Sequence, residues 1–157
     1  MGELIACKDG RALEVMPIDD VIAAQVMAHI RNECRAGFSA DNGIITREAQ
    51  YDWWQANHNR VVACLYSEPF GAWVGYGLLR PDGAGRIVSS VAVLPEFAGR
   101  GYGGAITRHI IRQHLGPIHA AALESNQAAM ALHHADDWIE TGRAGGVVYY
   151  RTREDLV

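Results

Sequence analysis

The stretch VAVLPEFAGRGYGG, Val91 to Gly104, places four glycines, Gly99, Gly101, Gly103 and Gly104, among its last six residues. It joins a β-branched run, RIVSSVAVL, to a run with helical spacing, AITRHIIRQHL. A strand that feeds through glycines into a helix leaves unpaired N–H groups at the helix start, backed by the positive end of the helix dipole. Such a terminus binds anions, and residues without a Cβ let a phosphate approach the backbone. A loose turn is the plainer reading, yet a turn needs only one or two left-handed glycines.

Upstream, RVVACLYS, AWVGYGLLR and RIVSSVAVL are separated by EPFG and PDGAG, both rich in turn-forming residues, and spell an antiparallel three-stranded meander. Before them, RALEVMPI reads as a first strand. IDDVIAAQVMAHIRNECRAG reads as a helix with Ile22, Val26 and Ile30 on its buried face, Asp19 and Asp20 in its first turn, and Gly37 as its stop. Thr46 is placed to cap a second helix, REAQYDWWQAN. Downstream, Ile106, Ile110, Ile111 and Leu115 form a helical stripe ended by Gly116-Pro117. IHAAALE then reads as a strand, SNQAAMALHHA as a helix, and WIETG with VVYYRTR as a closing strand pair. The order β-α-α-β-β-β-α-β-α-β-β is an α/β fold with a mixed, mostly antiparallel central sheet flanked by helices. It is expected to form one domain over residues 1–157.

The chain has 157 residues, 49% of them hydrophobic and 20% charged, a composition suited to an ordinary globular domain. A formal net charge of −4 argues against nucleic acid as the main partner, because phosphate backbones need a basic face. The opening MGELIACKDGR carries charges where a signal peptide needs an apolar core, and no run has membrane-spanning length. A cytoplasmic protein with no membrane association is the expectation. Cys7, Cys34 and Cys64 are odd in number and widely spaced, and read as reduced packing residues. His133, His134, Asp136 and Asp137 diverge around a helix, and His109 and His114 are five apart, so no functional metal site is expected.

Two ligand readings compete for the glycines. Gly99, Gly101 and Gly104 satisfy GxGxxG, with Glu124 twenty residues beyond Gly104, as in a dinucleotide fingerprint. Against it, Leu94-Pro95-Glu96-Phe97 separate strand from glycine, and the preceding strands are hairpins. A P-loop is excluded, since no Gly-Lys-Ser/Thr follows.

The second reading is a resemblance. SSVAVLPEFAGRGYGGAITRHI resembles the acetyl-coenzyme-A-binding motif of the GNAT family of N-acetyltransferases, in which a strand ending Val-x-Pro is followed by Gln/Arg-x-x-Gly-x-Gly/Ala at a helix start. The element order resembles that family's over nearly the whole chain, and ESNQAAMALHHADDWIETG echoes its later Asn and Leu-Tyr-x-x-x-Gly-Phe signature. The resemblance implies a GNAT-like fold and acetyl-CoA as co-substrate. Its pyrophosphate would be held by main-chain N–H groups of Ala98, Gly99, Arg100, Gly101, Tyr102, Gly103 and Gly104. Val91 and Val93 would offer backbone groups to the pantetheine arm, and Asn126 would contact that arm or organise its helix, Ser125 being by position the better cap. The family's first Gln/Arg falls on Ala98, which removes one side chain from the phosphate grip.

Acyl transfer from a thioester to an amine requires a deprotonated amine, a donor to the carbonyl oxygen and stabilisation of the departing thiolate. The last role falls in the family to the tyrosine of Leu-Tyr, whose slot here holds His133. A histidine can donate a proton, and its neutral form still carries one N–H. The alternative is that His133 is only a helix residue and the thiolate leaves unassisted. The strand before the glycines carries Ser89 and Ser90 and no carboxylate, which suggests a water relay touching Ser90 as proton acceptor. The acceptor site would be shaped by the first two helices, where Asp41 or Glu48 could attract an ammonium group, and one of Trp53 and Trp54 would line a groove. The expectation is direct transfer to a primary amine of a small molecule such as an amino sugar. A protein or aminoacyl-tRNA amine, or coenzyme binding without turnover, remains as an alternative, and a homodimer is allowed.

Overall fold

The computed structural model describes residues 2–38 and 43–153. Asp41, one of the two carboxylates named for the acceptor, lies outside the described residues. The chain runs β1 (Glu3–Ala6), β2 (Ala12–Pro17), α1 (Val21–Cys34), α2 (Arg47–Asn57), β3 (Val62–Ser67), β4 (Trp73–Pro81) and β5 (Ile87–Val93). It continues through α3 (Tyr102–Ile111), β6 (Ile118–Leu123), α4 (Gln127–Ala135), β7 (Ile139–Ala144) and β8 (Val147–Arg151). One eight-stranded sheet has the order β1-β2-β3-β4-β5-β6-β8-β7, and only β5 and β6 are parallel. The mixed, mostly antiparallel sheet read from the sequence is therefore present, with β1 added at its edge. That strand is four residues long and mostly exposed, so its pattern carries little apolar periodicity.

The sheet divides the helices between its faces. A Cβ on Gly77 would meet Ile106 and Ile110 at 3.1–3.3 Å, so α3 lies directly on the face shared by Gly77 and its partner Val91. Alternation then turns Tyr76, Leu78, Arg80, Val88 and Ser90 to the opposite face, where α1 and α2 pack.

Each helix start follows from local chemistry, with one exception. Asp20 caps α1 by accepting from Ala23 N at 2.8 Å, Thr46 caps α2 through Ala49 N at 3.0 Å, and Asn126 caps α4 through Ala129 N at 3.1 Å. The cap of α4 is thus Asn126 rather than Ser125. Helix α3 begins at Gly101, which has no side chain to cap with.

Two helical stripes differ from the pattern read in the sequence. Ile22 is 69% exposed, and the buried face of α1 is made by Ala23, Ala24, Met27, Ala28 and Ile30, a face built largely of alanine and so without the branched apolar periodicity the sequence suggested. Helix α3 ends at Ile111, and Leu115 is 89% exposed: after Ile111 the sequence turns polar, and Arg112 N bonds back to His109 O.

Helix α4 closes with a Schellman motif. Trp138 N donates to His133 O at 3.0 Å and Asp137 N to His134 O at 3.3 Å, while the Trp138 and His133 rings meet at 4.8 Å. Asp137 stands at the left-handed position, φ 60°, where glycine is the usual occupant.

Candidate active site

Strands β5 and β6 pair only at Ile87 with Ile118 and Val88 with His119. Beyond those pairs they diverge, and Ala120, Ala121 and Ala122 leave the gap unfilled by side chains. Leu94 N donates to Val74 O at 2.8 Å, which fixes the alternation of the β4–β5 ladder. Val93, Val91 and Ser89 therefore turn their peptide groups away from β4 and toward the gap. Val93 O is met there by the Cys34 thiol at 3.2 Å. That thiol is pushed up to about 11, first by burial and then by Glu33 and Glu96, so it is protonated and donates.

At the outer end of this gap lies the start of α3. The first helical bond is Ala105 N to Gly101 O at 3.3 Å, so the N–H groups of Gly101, Tyr102, Gly103 and Gly104 have no acceptor among the described residues. Gly99 and Gly101 adopt φ 77° and 80°, which bends the chain so that these groups converge on open space. A Cβ on Gly103 would lie 3.0 Å from Leu132 Cδ1, so this glycine also lets α4 approach. Four unpaired donors and the positive helix end suit a pyrophosphate.

The side chains of the loop hold it in place. Tyr102 is buried, and its hydroxyl donates to Glu68 Oε2 at 2.8 Å. The Arg100 guanidinium lies 5.2 Å over the Phe97 ring and 3.9 Å from the same carboxylate, so it does not replace the donor missing at exposed Ala98. Glu68 was not legible as a site residue, because it sits in a hairpin turn thirty-four residues before Tyr102.

A cavity of about 1060 Å³ runs through the gap and opens on both faces of the sheet. On the α3/α4 face it takes in the glycines, Asn126 and His133; on the α1/α2 face it takes in Ser90, Arg31, Arg80, Gln50 and Trp53. Asn126 both caps α4 and donates from Nδ2 to Gly37 O at 3.4 Å, tying α4 to the end of α1. Trp53 is the tryptophan that lines the cavity, whereas Trp54 donates from Nε1 to Ile18 O at 3.3 Å. Glu48 is an exposed residue of the first turn of α2 and does not line the cavity. Glu124 is also exposed and pairs with Arg143 at 3.7 Å.

His133 stacks on Tyr150, with centroids 4.6 Å apart and planes 6° from parallel. Its Nδ1 lies 2.7 Å from Ala129 O, and since a carbonyl only accepts, Nδ1 carries the proton. Burial lowers the pKa of the ring. At neutral pH the one N–H of the imidazole is thus committed to Ala129, and Nε2 presents a lone pair. The neutral-ring donor expected from the sequence is spent within the helix. Ser90 is half-buried on the chamber wall, and its hydroxyl makes no bond to a described protein group.

A splayed parallel strand pair, an uncapped glycine-rich helix start and a chamber behind them define an acyl-CoA-dependent transferase. The chain belongs to the acetyltransferase (GNAT) family, whose sequence profile matches residues 24–135. As a member it is an N-acetyltransferase with acetyl-CoA as co-substrate. The fold superposes on yncA of Salmonella typhimurium, solved with its cofactor acetyl-CoA, at a TM-score of 0.74 and 18% identity over 91% of this chain and 94% of that one. For the ribosomal-protein-alanine N-acetyltransferase of Brucella melitensis the values are 0.70, 19%, 87% and 97%. For the phosphinothricin acetyltransferase of Sinorhizobium meliloti, in complex with acetyl-CoA, they are 0.72, 16%, 88% and 86%. No curated protein matches the chain. Among the described residues no helix is long and apolar enough to cross a membrane.

Proposed function

We propose that the protein transfers the acetyl group directly to a primary amine of a small molecule, of the size of an amino sugar or an amino acid. The observation that carries this reading is the single cavity joining the α3 terminus to a chamber under α1 and α2. Acetyl-CoA supplies an acyl group activated as a thioester. The amine nitrogen gains the acetyl carbon as the carbon–sulfur bond breaks, and the products are the amide, the free thiol and one proton released from the starting ammonium. The N–H groups of Gly101, Tyr102, Gly103 and Gly104 hold the phosphates, with the peptide edges of Val91 and Val93 beside the pantetheine arm.

Ser90 faces the chamber from the strand that lines the gap, and its hydroxyl holds the water that takes the ammonium proton. His133 shapes the wall of the gap, and the sulfur takes its proton from solvent. Direct transfer fits the cysteines: Cys34 is held as a thiol at Val93 O, and burial pushes Cys64 up to about 11. The test is an amine panel with acetyl-CoA, read by thiol release. Turnover of small primary amines supports the reading. Turnover confined to peptides or aminoacyl-tRNA, or coenzyme binding with no turnover, contradicts it.

A further inference from the structure

We infer that the acceptor carries an oxyanion beside its amine, bound by Arg80, so that its class is a compact zwitterion of amino-acid type. The inference deepens the acetyl-transfer reading above and rests on it.

Among the described lining residues the charge of the cavity is one-sided. Among its described lining residues the only carboxylate is Asp136, and Asp136 is already paired with Lys8 at 3.6 Å and Arg108 at 3.5 Å on the α3/α4 side. The chamber on the α1/α2 face is lined by two guanidinium groups, those of Arg31 and Arg80, and by no described carboxylate. Arg80 is half-buried and has no hydrogen-bond or ion-pair partner among the described residues. The nearest acid in sequence, Asp82, is engaged with Arg86 at 3.0 Å and with the N–H groups of Ala84 and Arg86.

Arg80 is also too far along the sheet to serve the coenzyme phosphates. It pairs with Val88, whereas the glycine loop follows Val93, five residues or about 16 Å further along β5. Ser90 lies between them on the same face. A guanidinium fork in a partly dry chamber, with no counter-ion among the described residues, matches a planar oxyanion such as a carboxylate.

A second observation comes from α2. Gln50 lines the same chamber at 2% exposure; its Nε2 reaches Met27 Sδ at 4.0 Å, and its Oε1 has no partner among the described residues. A buried amide oxygen without a donor is costly unless a ligand provides one. The ligand that satisfies both residues offers an anion to Arg80 and an N–H or O–H to Gln50. A polyamine meets the like charge of Arg80 and, among the described lining residues of this chamber, no carboxylate. The charge of Arg80 lowers the pKa of an entering ammonium, which assists its deprotonation.

The experiment compares matched acceptors on the full chain: an α-amino acid, its carboxamide, the amine left by removing the carboxylate, its phosphonate analogue, and spermidine. Thiol release gives kcat and KM for each, and calorimetry with acetyl-CoA runs beside it. The expected result is a kcat/KM at least tenfold higher for the amino acid or the phosphonate than for the carboxamide or the plain amine. In Arg80→Gln that advantage collapses through KM, and Arg80→Lys restores part of it. Unchanged acetyl-CoA affinity in both variants shows that the fold persists. A carboxylate preferred over the phosphonate assigns the anion as carboxylate, and the reverse assigns a tetrahedral oxyanion. Equal or better turnover of neutral amines or spermidine overturns this inference alone. Absence of any turnover despite acetyl-CoA binding overturns the acetyl-transfer reading and this inference with it.

Discussion

The hydroxyl of Tyr102 donates to Glu68 Oε2 at 2.8 Å, and this bond ties the first residue of α3 to the turn between β3 and β4. The α3 terminus has no capping side chain, so its orientation depends on contacts such as this one. In Tyr102→Phe the Glu68 carboxylate, already part-exposed, returns to water. The stability loss is then about 1 kcal/mol, at the low end for a bond to a charged group. Acetyl-CoA affinity should fall about three- to tenfold as the loop loses its anchor. Urea midpoints and calorimetry check the two effects separately.

Ala98 leaves the proposed phosphate site one side-chain donor short of the family motif, and Arg100 is held elsewhere by Phe97 and Glu68. Ala98→Arg places a guanidinium on the exposed rim of the cavity. It should tighten acetyl-CoA binding by about 1 kcal/mol, roughly fivefold, the worth of one partly solvated charged hydrogen bond. The gain should shrink as salt rises, because an exposed charge is screened. An unchanged dissociation constant at low salt would show that the main-chain groups already saturate the phosphates.

His133 provides a test by pH. A histidine in the unfolded chain titrates near 6.5, and burial holds His133 below that value in the folded protein. Between the two values the unfolded chain binds the extra proton, so stability is full above the window and falls as pH drops through it. His133→Phe keeps an aromatic ring against Tyr150 and removes this titration. The urea midpoint of the variant should fall less steeply from neutral to mildly acid pH, with a residual slope from His119, which burial and Arg86 also shift downward. Because the neutral ring has no free N–H, kcat should stay within about threefold of the parent. A hundredfold loss of kcat would restore His133 as the acid.

Asp137 occupies the left-handed position after α4 at φ 60°. Asp137→Gly relieves the backbone strain but frees the unfolded chain. The net expectation is a gain of roughly 0.5–1 kcal/mol. Chemical denaturation measures it. A loss of stability would mean that the Asp137 side chain contributes more than its backbone costs.

The parts of the molecule that were legible in the sequence are those governed by short-range chemistry. The β3–β4–β5 meander followed from EPFG and PDGAG, α2 from Thr46, and the uncapped start of α3 from glycines at a strand-to-helix junction. What was not legible depends on residues far apart in the chain. Glu68 gains its role only when the β3–β4 turn meets Tyr102, and the His133 proton is assigned only when Ala129 O is seen one turn away at 2.7 Å. Arg80 and Gln50 line one chamber only because α2 packs on the face of the sheet to which Arg80 turns. Leu115 failed for a different reason: an apolar residue at helical spacing extended α3 beyond the point where its backbone turns away.

In the proposed function the N–H groups at the start of α3 cradle the phosphates of acetyl-CoA. Titration calorimetry of the parent chain and of Gly101→Val with acetyl-CoA tests it most directly. Valine disfavours φ 80° and would swing the terminus away, while nothing lies within 4 Å to clash with its Cβ. The expected result is micromolar or tighter binding by the parent and at least a hundredfold loss in a variant that remains folded by circular dichroism. Equal affinity in the two proteins, or no binding by the parent, would contradict the account.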